Sequence, residues 1–257
     1  MTLAIVGVLV VSVSVLLALT GLVLVTRLVP ETRRSSSNVG GGLIFRPISG
    51  VFSILIGFTA FLVWQQYTAA HVTAQREASE LAAIYWHAEE LPASHRLQVQ
   101  QYARTYALVV IQEEWPLMGQ GQESSKAWDT VDKLRSTVDG FEPSNSSEEA
   151  LHTRQVTLVD DVLNDRRLRL LQSREGLPPV LWAVLLGGTL LLVGYTYFFG
   201  LQDFRAHLLM VAMLTALIVA VLFTIKSLEY PFSGEMRVEP SAFELVLNRF
   251  NSDSQAD

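Results

Sequence analysis

Residues 3–25 read LAIVGVLVVSVSVLLALTGLVLV, and no charged residue interrupts them. This run exceeds the roughly 20 apolar residues that an α-helix needs to cross the hydrocarbon core of a bilayer. It is also longer than the apolar region of a secretory signal peptide, and Met1-Thr2 places no positive charge before it. We therefore expect residues 3–25 to be a retained membrane span.

Three further apolar runs have membrane length. The second covers residues 48–64, or begins at Leu43 if the side chain of Arg46 reaches the headgroups. The third and fourth cover residues 180–199 and 207–228, and the short link between them allows only a helical hairpin. The sequence therefore predicts an all-α membrane protein with four transmembrane helices.

The four spans divide the chain into four parts. Residues 1–64 hold the first two spans and a short basic loop, and residues 65–178 form a polar region between spans two and three. Residues 179–230 hold the hairpin, and residues 231–257 form a tail. Because the chain is polar after about Arg249, we expect the end of this tail to be disordered.

The polar region has the pattern of a helical aqueous domain. A heptad seam of Ala and larger residues predicts that the second span continues as a helix beyond the membrane: Tyr67, His71, Ala74, Ala78, Leu81, Tyr85 and Ala88. Pro92 interrupts this helix, and Ser94 is the predicted N-cap of the next one. Pro116 should end that helix near Trp115, because the residue before a proline avoids helical geometry.

Two more helices complete the predicted bundle. The apolar spacing between Trp128 and Val138 predicts a short amphipathic helix. Ser146 and Glu149 have capping-box spacing at the start of a long helix that ends near Glu175. Four helices between two membrane entries suit an up-and-down bundle.

The composition excludes several classes of protein. Half of the residues are apolar, the net charge is −6, and cysteine is absent. The negative charge argues against a nucleic-acid partner. The absence of cysteine excludes disulfides and thiolate metal sites.

Catalytic motifs are not apparent. Glu149 and His152 have the Glu-x-x-His spacing of di-iron bundles, but those sites need a second such pair, and Glu149 already fits a helix cap. The sequence contains neither a glycine-rich phosphate loop nor a Gly-x-Ser-x-Gly elbow. We therefore expect a protein that is not an enzyme and that has neither a metal nor a cofactor.

Small residues form stripes on two of the predicted spans. Such stripes let helix backbones approach closely in lipid. The second span carries Gly50, Ser53, Gly57 and Ala60, and the fourth carries Ala212, Ala216 and Ala220. They could serve contacts between subunits around a pore or packing within one subunit, and the spacing does not choose between the two.

Aromatic and aliphatic side chains of the second span are candidates for a pore constriction. A narrow apolar ring can gate permeation by dewetting. The candidates are Phe52, Leu55 and Leu62 on the side opposite the small stripe, and Phe58 and Phe61 beside it. The alternative is that these side chains contact lipid or pack against other helices.

Basic residues provide candidates for attracting anions. Arg46 lies deepest in an apolar setting, and its alternative role is to reach up to the headgroups. Arg166, Arg167 and Arg169 could form a positive ring around a symmetric pore. The alternative is that they pair with acidic residues on neighbouring helices: Asp160, Asp161, Asp165, Glu77 or Glu80. Lys226 could pair with Glu229, three residues later, or reach the headgroups.

The charges near the spans do not choose an orientation. One set favours cytoplasmic loops and an external central domain: Arg27, Arg33, Arg34, Arg46 and Arg205. The opposite orientation is favoured by Arg166, Arg167, Arg169, Arg174, Lys226 and Arg237. The side of the membrane on which the central domain lies stays open.

Short motifs at the flanks of the spans occur in a recognisable order. They are Glu77-Ala78, Glu114-Trp115-Pro116-Leu117-Met118, Pro178 with Trp182 and Gly187, and Glu229-Tyr230-Pro231-Phe232-Ser233-Gly234. Together they resemble the bacterial bestrophin-like membrane proteins, over about residues 38–246. Pro231 and Gly234 suit a tight turn after the fourth span. Phe232, Trp115 and Trp182 suit the membrane interface, and the two tryptophans also suit domain packing.

The resemblance implies a function. Bestrophins are homopentameric anion channels with a helical cytosolic domain, so the expected partners are the lipid bilayer, further copies of the chain and small inorganic anions. The expected location is the bacterial inner membrane. The alternative function is a membrane-anchored sensor or scaffold that uses its helical bundle to bind a partner.

Overall fold

The structure of the chain, a computed structural model, describes residues 2–29, 38–199 and 203–253. Side chains are described for residues 3–29, 43–199 and 203–253. Every regular element in the described residues is helical, and four helices are long and apolar enough to cross a membrane. The predicted all-α class with four membrane helices is therefore confirmed.

The helices form two compact units. The membrane unit comprises Met1–Gln65 and Gly176–Glu229, and the bundle unit comprises Gln66–Glu175 and Tyr230–Asp257. In chain order the α-helices are α1 (Thr2–Leu28), α2 (Asn38–His87), α3 (Ala93–Val109), α4 (Trp115–Met118), α5 (Ser125–Asp139), α6 (Ser146–Arg174), α7 (Pro179–Thr196), α8 (Phe204–Leu228) and α9 (Ser241–Asp253).

Helix α2 contains 50 residues and contributes to both units. The predicted continuation of the second span as a helix is thus what the structure shows. Buried positions recur every seven residues along it: Ile56, Val63, Ala70, Glu77 and Ile84. A seven-residue repeat keeps one side of a helix facing its partners over many turns.

In the membrane unit, α1 packs against α7 and α8. Ala18 and Leu22 of α1 form a buried apolar cluster with Val193 and Val211. Asp203 caps the start of α8, because its carboxylate accepts hydrogen bonds from the backbone N–H groups of Arg205 and Ala206.

The helix that begins after Pro92 differs from the prediction at both ends. It starts at Ala93 with Pro92 as the N-cap residue, so Ser94 lies inside the first turn. It also continues past Trp115, through a π-helical turn at Val110–Glu114 and then α4. Pro116 therefore does not end the helix. The wider π turn just before it relieves the clash that a proline ring makes in a regular α-helix.

The caps of α5 and α6 are side-chain oxygens. Ser124 accepts a hydrogen bond from the N–H of Ala127 at 3.2 Å. At α6 the N-cap is Asn145 rather than the predicted Ser146, because the amide oxygen of Asn145 accepts from the N–H groups of Ser147 and Glu148, each at 3.0 Å.

The C-terminal tail is folded through Asp253. Phe243 and Phe250 of α9 are fully buried, and Phe250 stacks on Tyr85 with ring centroids 3.9 Å apart. The expected disorder after Arg249 is therefore wrong for residues 250–253. The final four residues, the predicted loop arginines Arg33 and Arg34, and residues 200–202 of the hairpin link lie outside the described residues.

Candidate functional site

Helix α2 has a packed face and an outward face within the membrane unit. The packed face consists of Phe52, Ile56, Thr59 and Val63, all of them buried. The outward face includes Arg46, Gly50, Ser53 and Gly57, all of them exposed. Each set recurs at spacings of three and four residues, which place its members along one side of a helix.

The packed face includes Phe52, one of the predicted pore-lining residues. A Cβ atom built on Gly188 of α7 would lie 2.2 Å from the ring of Phe52, so the ring occupies the space that a side chain would need. Phe52 is therefore enclosed within the chain, and Leu55 is partly buried. The sequence motif pointed to the neighbouring Gly187, whose added Cβ would meet no described atom within 4 Å.

The other three pore candidates are exposed. Phe58 and Phe61 expose 57% and 54% of their surface, and Leu62 exposes 36%. A Cβ atom on Gly50 or Gly57 would meet no described atom within 4 Å. The small-residue stripe of α2 thus leaves open space beside it in this chain, except that Ala60 is half-buried. On α8, Ala212 and Ala216 are half-buried and Ala220 is exposed.

The bundle unit contains a buried ion network, formed by Glu77, Glu114, Arg166 and Arg169. Glu77 comes from α2, Glu114 from the end of the π turn, and both arginines from α6, three residues apart. Because side chains three apart on a helix lie on the same side, both guanidinium groups point toward the same pair of carboxylates. Four residues from three segments of the chain thus meet in one place.

Most hydrogen bonds in this network are short, and Glu77, Glu114 and Arg169 each take part in several of them. Arg169 donates to both oxygens of Glu77, at 2.6 and 2.9 Å, and also to Glu114 at 2.8 Å. Arg166 donates to both oxygens of Glu114, at 2.5 and 3.3 Å. The hydroxyl of Tyr106 donates to Glu77 at 2.6 Å. Paired two-point contacts between guanidinium and carboxylate groups are among the strongest hydrogen bonds in proteins.

All four charged side chains have 0% exposure. Burial alone would raise the pKa of Glu114, but Arg169 and Arg166 hold it below the ordinary value. Burial opposes the charge on Arg169, but Glu77 and then Glu114 raise its pKa. Burial, followed by the charge of Glu77, raises the pKa of Tyr106 well above its ordinary value. Glu114 and Arg169 therefore keep their charges inside the network.

Aromatic rings enclose the two guanidinium groups. The Cζ atom of Arg166 lies 3.9 Å from the ring centroid of Trp128, and that of Arg169 lies 5.1 Å from Trp115 and 5.7 Å from Phe243. Rings at these distances attract a cation through their negative faces. The arrangement joins helices and holds no group that solvent can reach within one chain.

A second polar cluster lies in the membrane unit around Glu229, which is 2% exposed. Its carboxylate accepts hydrogen bonds from the backbone N–H of Leu177, the indole N–H of Trp182 and the ammonium of Lys226, at 3.0, 3.0 and 2.7 Å. The carboxylate thus fixes the start of α7, where a negative charge is favourable.

Comparison with known proteins assigns the fold. Residues 12–243 match the family model described as Bestrophin-like domain. The chain belongs to the Bestrophin-like family. The crystal structure of a bacterial bestrophin homologue from Klebsiella pneumoniae matches with a TM-score of 0.69 at 12% identity, over 93% of this chain and 96% of that chain.

Two variants of a Klebsiella pneumoniae homologue give similar values. Their TM-scores are 0.72 and 0.71, at 12% and 11% identity, over 96% and 94% of this chain and 99% of each of theirs. At such low identity, the likeness shows a bestrophin fold. Comparison with curated proteins gives no significant match.

In this bestrophin-like chain, the motif aromatics Trp115 and Phe232 are buried. Trp115 is buried and donates its indole N–H to the carbonyl of Val238 at 2.9 Å. Phe232 is 1% exposed and its ring meets that of Trp115, so neither side chain is an interfacial anchor within the chain. Gly234 has a φ of 78°, the left-handed region that favours glycine, as the predicted turn requires.

The predicted basic residues fall into two groups. Arg166 and Arg169 are enclosed and paired with acidic residues, whereas Arg46 and Arg167 are exposed. The side chain of Lys226 is 59% exposed and pairs with Glu229. Of the five acidic partners that the sequence suggested, only Glu77 pairs with a buried arginine among the described residues. Glu114, Tyr106 and Trp128 were missed, although Glu114 lies in a quoted motif beside Trp115.

Glu80 is another of the acidic residues that the sequence suggested as partners of the basic run. Burial, followed by the charges of Asp165 and Asp161, raises its pKa from 4.5 to about 7, and Arg76 offsets part of this effect. Arg76 lies 3.5 Å from Asp165. Among the described residues, these and other acidic side chains form no group of three or more that could hold a metal ion.

Proposed function

We propose that this chain assembles as a homopentamer that conducts small inorganic anions across the bacterial inner membrane, with α2 lining the conduction path. Membership of the Bestrophin-like family supports the channel class. The outward face of α2 supports the proposed conduction path and the preference for anions. The pentamer is what the family resemblance implies.

The outward face combines small residues with a positive charge. Arg46, Gly50, Ser53 and Gly57 are exposed along one side of α2, and a Cβ atom added to either glycine would meet no described atom within 4 Å. Small residues let α2 helices from neighbouring copies come close together. Arg46, repeated around a ring of subunits, would raise the local anion concentration at one end of this surface.

The exposed aromatic residues suit a constriction further along α2. Phe58 and Phe61 are more than half exposed in a helix that is otherwise well packed on its other side. Rings that face a narrow pore make it apolar, and such a segment controls permeation by its tendency to lose water. In this proposal the anions are attracted by Arg46, because Arg166 and Arg169 are enclosed.

The first test is reconstitution of the purified protein into liposomes, with an anion-flux assay and the oligomer mass in detergent. We expect a pentameric mass and a flux that depends on the protein. A monomer without flux would overturn the proposal and would favour a sensor or scaffold.

Point variants test the conduction path. Phe58→Ala or Phe61→Ala should raise flux, whereas Leu191→Ala, at an exposed position of α7, should not. Arg46→Gln should lower the anion-to-cation preference by roughly two- to fivefold, because one solvated charge acts on a nearby ion by about 1 kcal/mol. Arg205→Gln removes an exposed charge outside α2 and is the control. Equal selectivity in both variants would remove Arg46 from the path.

A further inference from the structure

The membrane unit contains a cavity of about 850 Å³ between α1, α7 and α8. Its volume lies within the range of about 300–1,000 Å³ that is usual for pockets that enclose a small organic molecule. Leucines at its rim, Leu17 and Leu190, expose 69% and 75% of their surface. The floor is closed, since Ala18 and Thr215 expose only 6% and 4%. A helix of another protein, about 10–12 Å across, would be too wide to enter the cavity and would leave its floor empty.

Three hydroxyl-bearing residues line the cavity, one from each helix: Ser14, Thr189 and Thr215. They also lie at the same depth along the three helices, which we call the hydroxyl level. A Cβ atom on Gly7 would lie 2.8 Å from Phe223, and one on Gly21 would lie 3.0 Å from the hydroxyl of Tyr197. Ser14 lies seven residues after Gly7 and seven residues before Gly21. Because α1 runs antiparallel to α8, Ser14 is level with residue 216, next to Thr215. Because α1 runs parallel to α7, Ser14 is also level with residue 190, next to Thr189.

The hydroxyl of Thr215 is buried and has no hydrogen-bond partner among the described residues. Thr189, by contrast, donates its hydroxyl hydrogen to the carbonyl of Leu185 at 2.8 Å, so it can only accept a further hydrogen bond. A buried hydroxyl without a partner is unfavourable in an apolar setting. An occupant that brings a hydrogen-bond acceptor to this height would remove that cost.

The depth of the hydroxyl level points to a neutral occupant. Lys226 lines one end of the cavity, and a lysine at the end of a span marks the headgroup region. Thr215 lies 11 residues earlier on α8, which corresponds to about 16 Å along a helix and so to the middle of a hydrocarbon core of about 30 Å. A phosphate or carboxylate at that depth would be costly.

Aromatic side chains complete the lining. Phe223, Tyr197 and Trp182 border the same cavity. Phe223 and Tyr197 contact α1 at Gly7 and Gly21, each seven residues or about 10 Å from Ser14, so they close the two ends of a space that can hold one conjugated ring at the depth of the hydroxyl groups. We propose that this cavity binds a lipid-soluble quinone, with a ring carbonyl that accepts a hydrogen bond from Thr215 and an apolar tail that leaves between Leu17 and Leu190.

Quinone binding can be measured on the full chain in detergent. A short-chain benzoquinone is titrated while tryptophan fluorescence is recorded, and the quinone extracted with the purified protein is quantified by its absorbance. Leu190→Trp fills the rim of the cavity, and Leu191→Trp is the matched control, since Leu191 is 74% exposed and does not line the cavity. Thr215→Val removes the hydroxyl and keeps the shape.

We expect saturable quenching and co-purified quinone in the wild type and in Leu191→Trp. Leu190→Trp should weaken binding by at least about tenfold, and Thr215→Val by about three- to tenfold, the range that one hydrogen bond supplies. Quenching that does not saturate, or equal binding in all four proteins, would overturn the proposal. So would phospholipid in place of quinone, or a loss of oligomer mass in Leu190→Trp without a change in quinone binding.

Discussion

Arg166 and Arg169 lie one helical turn apart, and both place a full positive charge where no solvent reaches. Such charges are stable only while their partners remain in place, because an unpaired buried charge costs far more than a buried pair. Here Glu77 and Glu114 supply the compensation, and Arg169 contacts both of them. Arg169 is therefore the residue on which the whole network depends.

Replacing Arg169 by methionine should strongly destabilise the bundle unit. The change leaves two buried carboxylates near each other with one partner, and breaking a buried pair costs about 3–5 kcal/mol. Thermal unfolding in detergent measures the loss. Arg167→Met, which alters an exposed neighbour on α6, is the control and should unfold close to the wild-type temperature. Equal unfolding temperatures for the two variants would contradict the importance of the network.

Glu80 should give the stability of the chain a specific dependence on pH. Its pKa is raised from 4.5 to about 7. Between these values the folded chain keeps a proton that the unfolded chain has released, so the free energy of unfolding falls as the pH rises and levels off above pH 7. Below pH 4.5 both states are protonated and this contribution is fully present.

Glu80→Gln keeps this side chain neutral at every pH. It should raise the unfolding temperature at pH 8 by about 2–4 °C and leave it unchanged at pH 4.5. Glu89→Gln, at an exposed position, should change neither value. A benefit of Glu80→Gln that is equal at both pH values would show that the proton is not the cause.

At the scale of elements, the contact between α2 and α7 depends on the absence of a side chain at Gly188. The ring of Phe52 fills that space. Gly188→Ala should therefore destabilise the membrane unit by about 1–3 kcal/mol, the usual cost of overpacking. Gly187→Ala, which meets open space, should be neutral in the same thermal-unfolding assay.

The close contact can be checked by a compensating change. Phe52→Leu shortens the side chain that would clash, so the double variant with Gly188→Ala should be more stable than the sum of the two single effects predicts. Additive losses would mean that the ring does not determine the cost at Gly188.

The elements that could be predicted from the sequence are those with local signals. The span lengths and the heptad seam of α2 were sufficient for four membrane helices and for a helix that continues to His87. The helix end predicted at Pro116 was wrong, because the helix continues through a π turn that no local sequence pattern indicates. In the tail, Phe243, Val246 and Phe250 have the spacing of a helix face, but the polar residues around them concealed it.

The ion network could be predicted only in part, because its partners are distant in sequence. Arg169 and Glu77 are 92 residues apart, and Arg166 and Glu114 are 52 apart. Sequence spacing showed that the two arginines share a helix face, but whether that face meets solvent or carboxylates depends on how the helices pack. The same holds for Phe52, whose burial follows from a glycine on another helix.

For the whole molecule, the open space beside the small residues of α2 allows a substitution that tests assembly without disturbing the fold of one chain. Gly57→Leu adds a side chain where no described atom lies within 4 Å, so the fold of one chain should tolerate it. If copies of α2 meet there, the added bulk should reduce the oligomer mass. Mass photometry in detergent measures this, with Ala183→Leu, at an exposed position of α7, as the control. An unchanged mass in Gly57→Leu would place the subunit contact elsewhere.

The buried side of helix α2 also limits where residues can be inserted or deleted. Its buried positions recur every seven residues, from Ile56 through Val63 and Ala70 to Glu77 and Ile84. Each residue in a helix turns the chain by about 100°, so the deletion of a single residue between Ala70 and Glu77, both in the bundle unit, would rotate Glu77 by about 100° relative to Ala70 and take one of the two off the buried side. A deletion or insertion of seven residues would restore the phase. A change in the length of this helix therefore keeps its buried side aligned only when whole heptads are added or removed, whereas a single-residue insertion or deletion misaligns every buried position that follows it.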